Sequence, residues 1–386
     1  MPSKRKRGRP VKPSAVDDVT AYARAVEKGR ILAGRLVRLA CARHLKDLTR
    51  QNTTDFPYHF EPKRAELVAE FFRDLLTLDS GAPFELMPWL KFIFGSLEGW
   101  LDADNHLRFG TSYMETSKGT GKTPAAAGYG LYGVAGKLEK SAEIYSLGVT
   151  ADQANYLFKF AYRMADRSPE LKDILDVGQH NIALVGAGNF FRPLSAEGRS
   201  LDNKRPYLAL VDELHEHPSA VIPEKMRLGF KGRIDALLFE ITNAGFDKTS
   251  VCWEHHEFSV KVLEGTLTGP AADRWFAYVC QLDPCESCRD QGKTQPSDEC
   301  QTCDKWTDPA VWLKVNPSLG VTITEAQMQA QVDEAIARPA SQSRVKRLSF
   351  CMWTQSHTVW ITSDRWNACR VQAQRELAVS ADGRAC

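Results

Sequence analysis

No uncharged apolar run in this sequence approaches the ~18 residues that a membrane-spanning helix needs, so a membrane protein is not expected. The charged N-terminus is not followed by an apolar segment, and a secretory signal is not expected either. Self-similarity at a period of about 20–50 residues is also lacking, which argues against solenoid and propeller arrays. Acid is missing from the first twelve residues, which carry Lys4, Arg5, Lys6, Arg7, Arg9 and Lys12. The whole chain has a net charge of +2, so everything after that arm sums to −4. This is a near-neutral body with a basic tail of the kind that meets polyanions. Within the tail, Arg7-Gly8-Arg9-Pro10 has the form of an AT-hook, whose extended backbone lays two guanidinium groups in a minor groove. A non-specific phosphate-binding arm is the competing reading.

What is present is ordinary for a globular chain: 386 residues, 43% hydrophobic and 25% charged. That length suits two to three domains at about 150 residues each. Without a signal segment, the ten cysteines are expected as reduced thiols. Four of them form Cys285-Glu-Ser-Cys288 and Cys300-Gln-Thr-Cys303, separated by the polar eleven-residue spacer Arg289–Glu299. Each pair places two thiolates on one tight turn, and two such knuckles close a tetrahedral Zn(II) site. All four positions would be filled by thiolate, so the zinc is expected to be structural.

Coarse periodicity predicts a basic helix from Val19 to about Leu48 and an amphipathic helix from Pro62 to Leu78, with Leu67, Phe71 and Leu75 in its core stripe. Strands are predicted over Leu107–Glu115, Ile144–Val149, Ile182–Val185, Tyr207–Val211 and Ala236–Thr242. Helices are predicted over Pro124–Val134, Ala151–Ala165 and, from a capping box at Thr324, to about Ala337. Strands separated by helices indicate a parallel sheet covered on both faces.

The chemistry concentrates in Ser117-Lys118-Gly119-Thr120-Gly121-Lys122-Thr123. A phosphate-binding loop needs backbone N–H groups curled round an oxyanion, a lysine for the β- and γ-phosphates and a hydroxyl for Mg(II). Gly119 and Gly121 permit the turn, Lys122 is the cation and Thr123 the hydroxyl. Thr116 stands where the usual pattern has its first glycine. Ninety residues after Lys122, the apolar run Tyr207–Val211 ends in Asp212-Glu213. There Asp212 is expected to hold Mg(II), and Glu213 to polarise an attacking water. The run ending in Thr242-Asn243-Ala244-Gly245 is expected to bring Thr242 and Asn243 beside the γ-phosphate.

These motifs, with Pro88-Trp89, Gly99-Trp100, Thr150-Ala-Asp-Gln153-Ala154, Val211-Asp212-Glu213-Leu214-His215, Trp312-Leu-Lys-Val-Asn316-Pro317 and Trp353-Thr-Gln-Ser, resemble the large subunit of tailed-phage terminases from about Phe84 to Cys369. The resemblance implies an α/β, P-loop ASCE-type ATPase, with a mainly parallel sheet flanked by helices. The expected division is a basic arm at 1–16, a helical N-terminal region at 17–83 and the ATPase core at 84–263. A zinc-knuckle insert follows at 264–310, then a lid or linker at 311–386.

It further implies a motor that hydrolyses ATP with Mg(II) to drive duplex DNA into a capsid. The implied partners are a homo-oligomeric ring, a small terminase subunit and the capsid portal, and the implied location is the host cytoplasm. Arg199 is the candidate arginine acting in a neighbouring subunit, with Arg233 as runner-up. His215 is expected to pack beside the catalytic edge. Leu90 replaces the glutamine that reads adenine in the family, which leaves Trp89 as a candidate pocket residue. The family's nuclease is expected to be missing, because the chain ends at Cys386 with no acid after Asp382. A helicase-like translocase and an inactive zinc-containing DNA-binding scaffold are the alternatives.

Overall fold

The computed structural model describes residues 17–137, 139–195 and 201–354. The arm 1–16, Arg199 and the chain after Thr354 lie outside them. The single helix expected over 19–48 is two helices, α1 (Asp18–Glu27) and α2 (Arg35–Arg50). Asp17 caps α1, its carboxylate accepting the Thr20 N–H at 2.8 Å. Two glycines impose the break. Gly29 turns at φ 67°, and Gly34 passes so close to the Gln281 carbonyl that a Cβ would collide with it. Next come β1 (Tyr58–Phe60), α3 (Pro62–Leu75), α4 (Pro88–Gly99) and β2 (Trp100–Asp102), with β1 and β2 antiparallel. On α3, Val68, Phe71 and Phe72 are buried, but Leu67 turns outward at 51% exposure and does not belong to the core stripe.

The main sheet begins with β3 (Thr111–Glu115), followed by α5 (Lys122–Leu131), which ends in a π-helical turn at Tyr132–Gly136. Then come β4 (Glu143–Gly148), α6 (Ala151–Arg167), α7 (Pro169–Ile174), β5 (Asp176–Gly178), β6 (Asn181–Leu184), β7 (Asn189–Ser195) and β8 (Pro206–Val211). After them come α8 (Val221–Gly229), β9 (Leu237–Thr242), α9 (Val251–Glu264), α10 (Pro270–Asp273) and β10 (Trp275–Val279). Every residue of β3, β8, β9 and β10 is buried, as expected of parallel strands covered on both faces.

The strand order is β10-β3-β9-β8-β4-β7-β6-β5. All neighbours are parallel except the β7–β6 and β6–β5 pairs, which make an antiparallel edge. The sheet therefore needs residues 275–279, which lie beyond the 84–263 span expected for the core. α11 (Glu286–Asp290), a 3₁₀ turn at Pro309–Lys314, α12 (Glu325–Ala337) and α13 (Pro339–Phe350) complete the described chain.

One core joins the N-terminal helices to the sheet. Phe94 of α4 stacks on Tyr129 of α5 at 4.7 Å between centroids, and on Phe72 of α3 and Phe239 of β9 at 5.7 Å each. Such pairs add about 0.5–1.5 kcal/mol each beyond the area they bury. The helical region at 17–83 is thus packed on the sheet through this cluster. Among the described residues, no helix is long and apolar enough to cross a membrane.

Candidate functional site

β3 leads straight into the loop Thr116–Gly121, and α5 begins at Lys122. Gly119 and Gly121 sit at φ 86° and 83°, the left-handed region in which a side chain is strained. Thr116, in the place of the usual first glycine, is fully buried and is not among the residues with positive φ. Its hydroxyl lies 3.0 Å from that of Thr120, which donates to the Ser117 carbonyl at 3.2 Å. The departure from the usual pattern therefore costs no backbone strain and adds a brace across the loop.

Distant segments hold the loop from outside. Ser318 Oγ donates to the Thr120 carbonyl at 2.8 Å, Thr322 Oγ1 donates to the Gly119 carbonyl, and the Lys118 N–H donates to the Leu348 carbonyl at 2.6 Å. Trp89 is buried and donates its indole N–H to Ser318 Oγ at 3.1 Å. It thus supports the loop through Ser318 while also lining a 340 Å³ cavity beside Pro88 and Tyr278. Sequence reasoning missed Ser318, Thr322 and Leu348. Nothing local in their segments marks contacts made some 200 residues away along the chain.

The exits of three parallel strands meet here. β9 lies between β3 and β8, with Glu115 opposite Thr242 and Val211 opposite Glu240. Lys122 Nζ, almost fully buried, donates to Asn243 Oδ1 at 2.9 Å and lies 3.8 Å from Glu213 Oε1. Asn243 in turn donates from Nδ2 to the Thr116 carbonyl at 2.8 Å, so β9 grips both ends of the loop.

Burial first, and then the charge of Glu213, push the Asp212 carboxyl up to about 7; Lys122 and the Thr123 hydroxyl pull the other way. A buried carboxylate beside a hydroxyl, opposed by one lysine, is a donor set short of positive charge. A hard divalent cation suits it. Glu213 adopts φ 50°, an uncommon conformation for a side-chain-bearing residue, and keeps a third of its side chain exposed.

His215, expected beside this edge, lies 3.3 Å from Glu213 Oε2 and 3.1 Å from Thr242 Oγ1. The other nearby histidines are committed elsewhere: His217 to the Asp212 carbonyl, His255 to Glu240 and His256 to Glu115. Lys118 presents its side chain to solvent. Arg233 pairs with Glu139 at 3.3 Å just before the entry of β9, the opposite edge of the sheet from the site. Arg199 lies outside the described residues.

The four cysteines do converge. The sulfurs of Cys285, Cys288, Cys300 and Cys303 all lie within 4.8 Å of one another, with those of Cys285 and Cys300 3.6 Å apart. The Cys285 N–H donates to Cys303 Sγ at 3.2 Å, and the Thr302 hydroxyl draws the Cys300 thiol down to about 5. Among the described residues this is the single group of three or more His, Cys, Asp or Glu side chains placed to hold a metal ion.

Comparisons with known proteins bear on the whole arrangement. Residues 88–261 match the family model for the terminase large subunit ATPase domain, and residues 297–378 match that for the terminase large subunit endonuclease domain. The second match runs against the expectation that the family's nuclease is missing from this chain. Within it the described residues, 297–354, are helical or irregular. Protein YmfN of Escherichia coli K12 is 27% identical over 185 residues, 46% of this chain and 36% of that protein. The terminase large subunit of Enterobacteria phage HK97 is 23% identical over 298 residues, 75% of this chain and 52% of that protein. The chain therefore spans about half or less of these relatives. The crystal structure of the HK97 bacteriophage large terminase superposes with a TM-score of 0.63 at 20% identity, covering 79% of this chain and 58% of that one. The chain thus carries a terminase large-subunit ATPase domain match on an α/β fold shared with a phage large terminase.

Proposed function

We propose that this chain is the ATP-hydrolysing motor subunit of a phage terminase, driving duplex DNA into a capsid. The observation that carries the reading is the convergence of Lys122, Thr123, Asp212, Glu213 and Asn243 at the exits of β3, β8 and β9. An added strand, β9, separates the phosphate-loop strand from the one bearing the acidic pair. This order supports the ASCE-type assignment.

In this reading the loop amides and Lys122 bind the phosphates. Thr123 and Asp212 would hold Mg(II), which when bound neutralises phosphate charge. Glu213, the exposed carboxylate of the pair, orients the attacking water. Lys122 donates to Asn243 at 2.9 Å, so a phosphate that engages the lysine competes with Asn243 for it. That competition gives β9 a means of sensing the nucleotide. Phosphoryl transfer asks little covalent work of a protein, so this positioning and charge would supply most of the rate.

The four thiolates fit structural Zn(II): four sulfurs leave no open position, and their spread suits tetrahedral closure at Zn–S distances of about 2.3 Å. Ring assembly, the small subunit and the portal rest on the resemblance to terminases.

The test is a pair of variants in the full chain. Lys122→Ala should lose MgATP binding, whereas Glu213→Gln should bind MgATP as the wild type does and turn it over at least ~100-fold more slowly. Unchanged turnover in Glu213→Gln would falsify the role given to that carboxylate.

A further inference from the structure

The ATPase reading assigns no work to His215, yet this side chain is 4% exposed and makes three polar contacts. Thr242 Oγ1 donates its proton to the Asn243 carbonyl at 2.9 Å, so toward His215 that oxygen acts as an acceptor. It takes the His215 backbone N–H at 3.0 Å and faces ring Nδ1 at 3.1 Å. The Nδ1–H tautomer is the one that completes this arrangement. The same Nδ1 lies 3.3 Å from Glu213 Oε2, a buried oxygen without a hydrogen bond of its own. Nε2 lies 3.1 Å from Glu216 Oε1, which fixes the far side of the ring.

We infer that His215 is the positioning residue that ties the water-orienting carboxylate Glu213 to Thr242 at the exit of β9. The inference rests on the ATPase reading above and extends it. Glu213 has a neighbour at each oxygen: Lys122 at Oε1, 3.8 Å away, and the His215 ring at Oε2, 3.3 Å away. Phosphates that engage Lys122 weaken the first contact and leave His215 as the tether. Nδ1 bonds Thr242 Oγ1 and at the same time lies 3.3 Å from Glu213 Oε2, so a displacement of the ring with Thr242 changes what the carboxylate faces. Thr242 adjoins Asn243 and receives the Thr116 N–H of the phosphate loop at 3.1 Å on its own carbonyl. Position of the carboxylate and position of β9 are thereby linked through one ring.

The experiment compares His215→Ala, His215→Asn and His215→Gln in the full chain. An asparagine amide nitrogen falls near the place of Nδ1, while a glutamine amide nitrogen falls near that of Nε2. His215→Ala should lower kcat by about 10²-fold with KM for MgATP little changed, the scale of a misplaced catalytic group. His215→Asn should recover most of that loss and His215→Gln should not. A second readout is independent of turnover. Binding of a non-hydrolysable ATP analogue should slow hydrogen exchange at residues 242–245 in the wild type and in His215→Asn, but not in His215→Gln.

Wild-type kcat in His215→Ala, a rise in KM at unchanged kcat, or equal behaviour of the Asn and Gln variants in both readouts overturns the assignment. If His215→Ala does not fold, the Asn–Gln comparison decides alone. A wild type that binds no nucleotide refutes the underlying ATPase reading instead.

Discussion

Asp212 and Glu213 are neighbours with opposite surroundings. Asp212 is 6% exposed, and its carboxyl is pushed up to about 7, chiefly by burial; Glu213 reaches solvent. Between pH ~4 and ~7 the folded protein holds a proton on Asp212 that the unfolded chain has released, so Asp212 makes stability fall as pH rises through that window. Without added Mg(II), Asp212→Asn should therefore be more stable than the wild type at pH 8, by on the order of a few kcal/mol. The gap should close as pH falls toward 4. Thermal melts across that range measure it, and a gap that ignores pH would show that Asp212 is ionised at little cost in the metal-free fold. Excess Mg(II) should reduce the gap at pH 8 by restoring the missing charge.

At the scale of elements, the cysteine knuckles connect parts that are far apart in sequence. Asp283, two residues before Cys285, accepts the Arg35 N–H of α2 at 2.7 Å and pairs with Lys314 at 3.2 Å. Lys314 also reaches Asp304, next to Cys303, at 2.7 Å. On the other side Lys346 of α13 pairs with Asp298, between the two knuckles, at 2.5 Å. If the sulfurs hold Zn(II), the metal fixes a hub between α2, the 3₁₀ turn and α13. The full chain should then carry one zinc per molecule by elemental analysis. Cys288→Ser should lose it and speed hydrogen exchange over 283–306 and in α13. Full zinc content in Cys288→Ser would exclude the four-sulfur site.

The same scale shows what could be read from the sequence. β8 and β9 were legible because each apolar run ends directly in polar residues, Asp212-Glu213 and Thr242-Asn243. α12 was legible because Thr324 and Gln327 make a capping box, and the structure has both of its hydrogen bonds. β10, Trp-Phe-Ala-Tyr-Val, carries no such terminus, and only pairing with β3 reveals it. The split of α1 from α2 depends on Gly34 passing under the Gln281 carbonyl, a contact between residues remote in sequence. For the same reason Lys122, Asp212 and Glu213 could be named from motifs, whereas Ser318 and Leu348, which hold the loop, could not.

For the whole molecule, the strand exits, the N-terminal helices and the α12–α13 segment meet around one loop. Trp353 donates its indole N–H to Glu115 Oε1 at 3.2 Å, and Gly245 of the β9 exit lies against the same ring. Glu115 ends β3, so Trp353 is fastened at the exits of both β3 and β9. A change in the loop or in β9 therefore bears directly on the position of Trp353.

The most direct test is steady-state ATP turnover by the 386-residue chain at high protein concentration, with and without duplex DNA, beside Glu213→Gln. Turnover that rises with duplex DNA and is lost in Glu213→Gln is the predicted result. ATP turnover that persists in Glu213→Gln, or a wild type that neither binds nor hydrolyses ATP, would contradict the account.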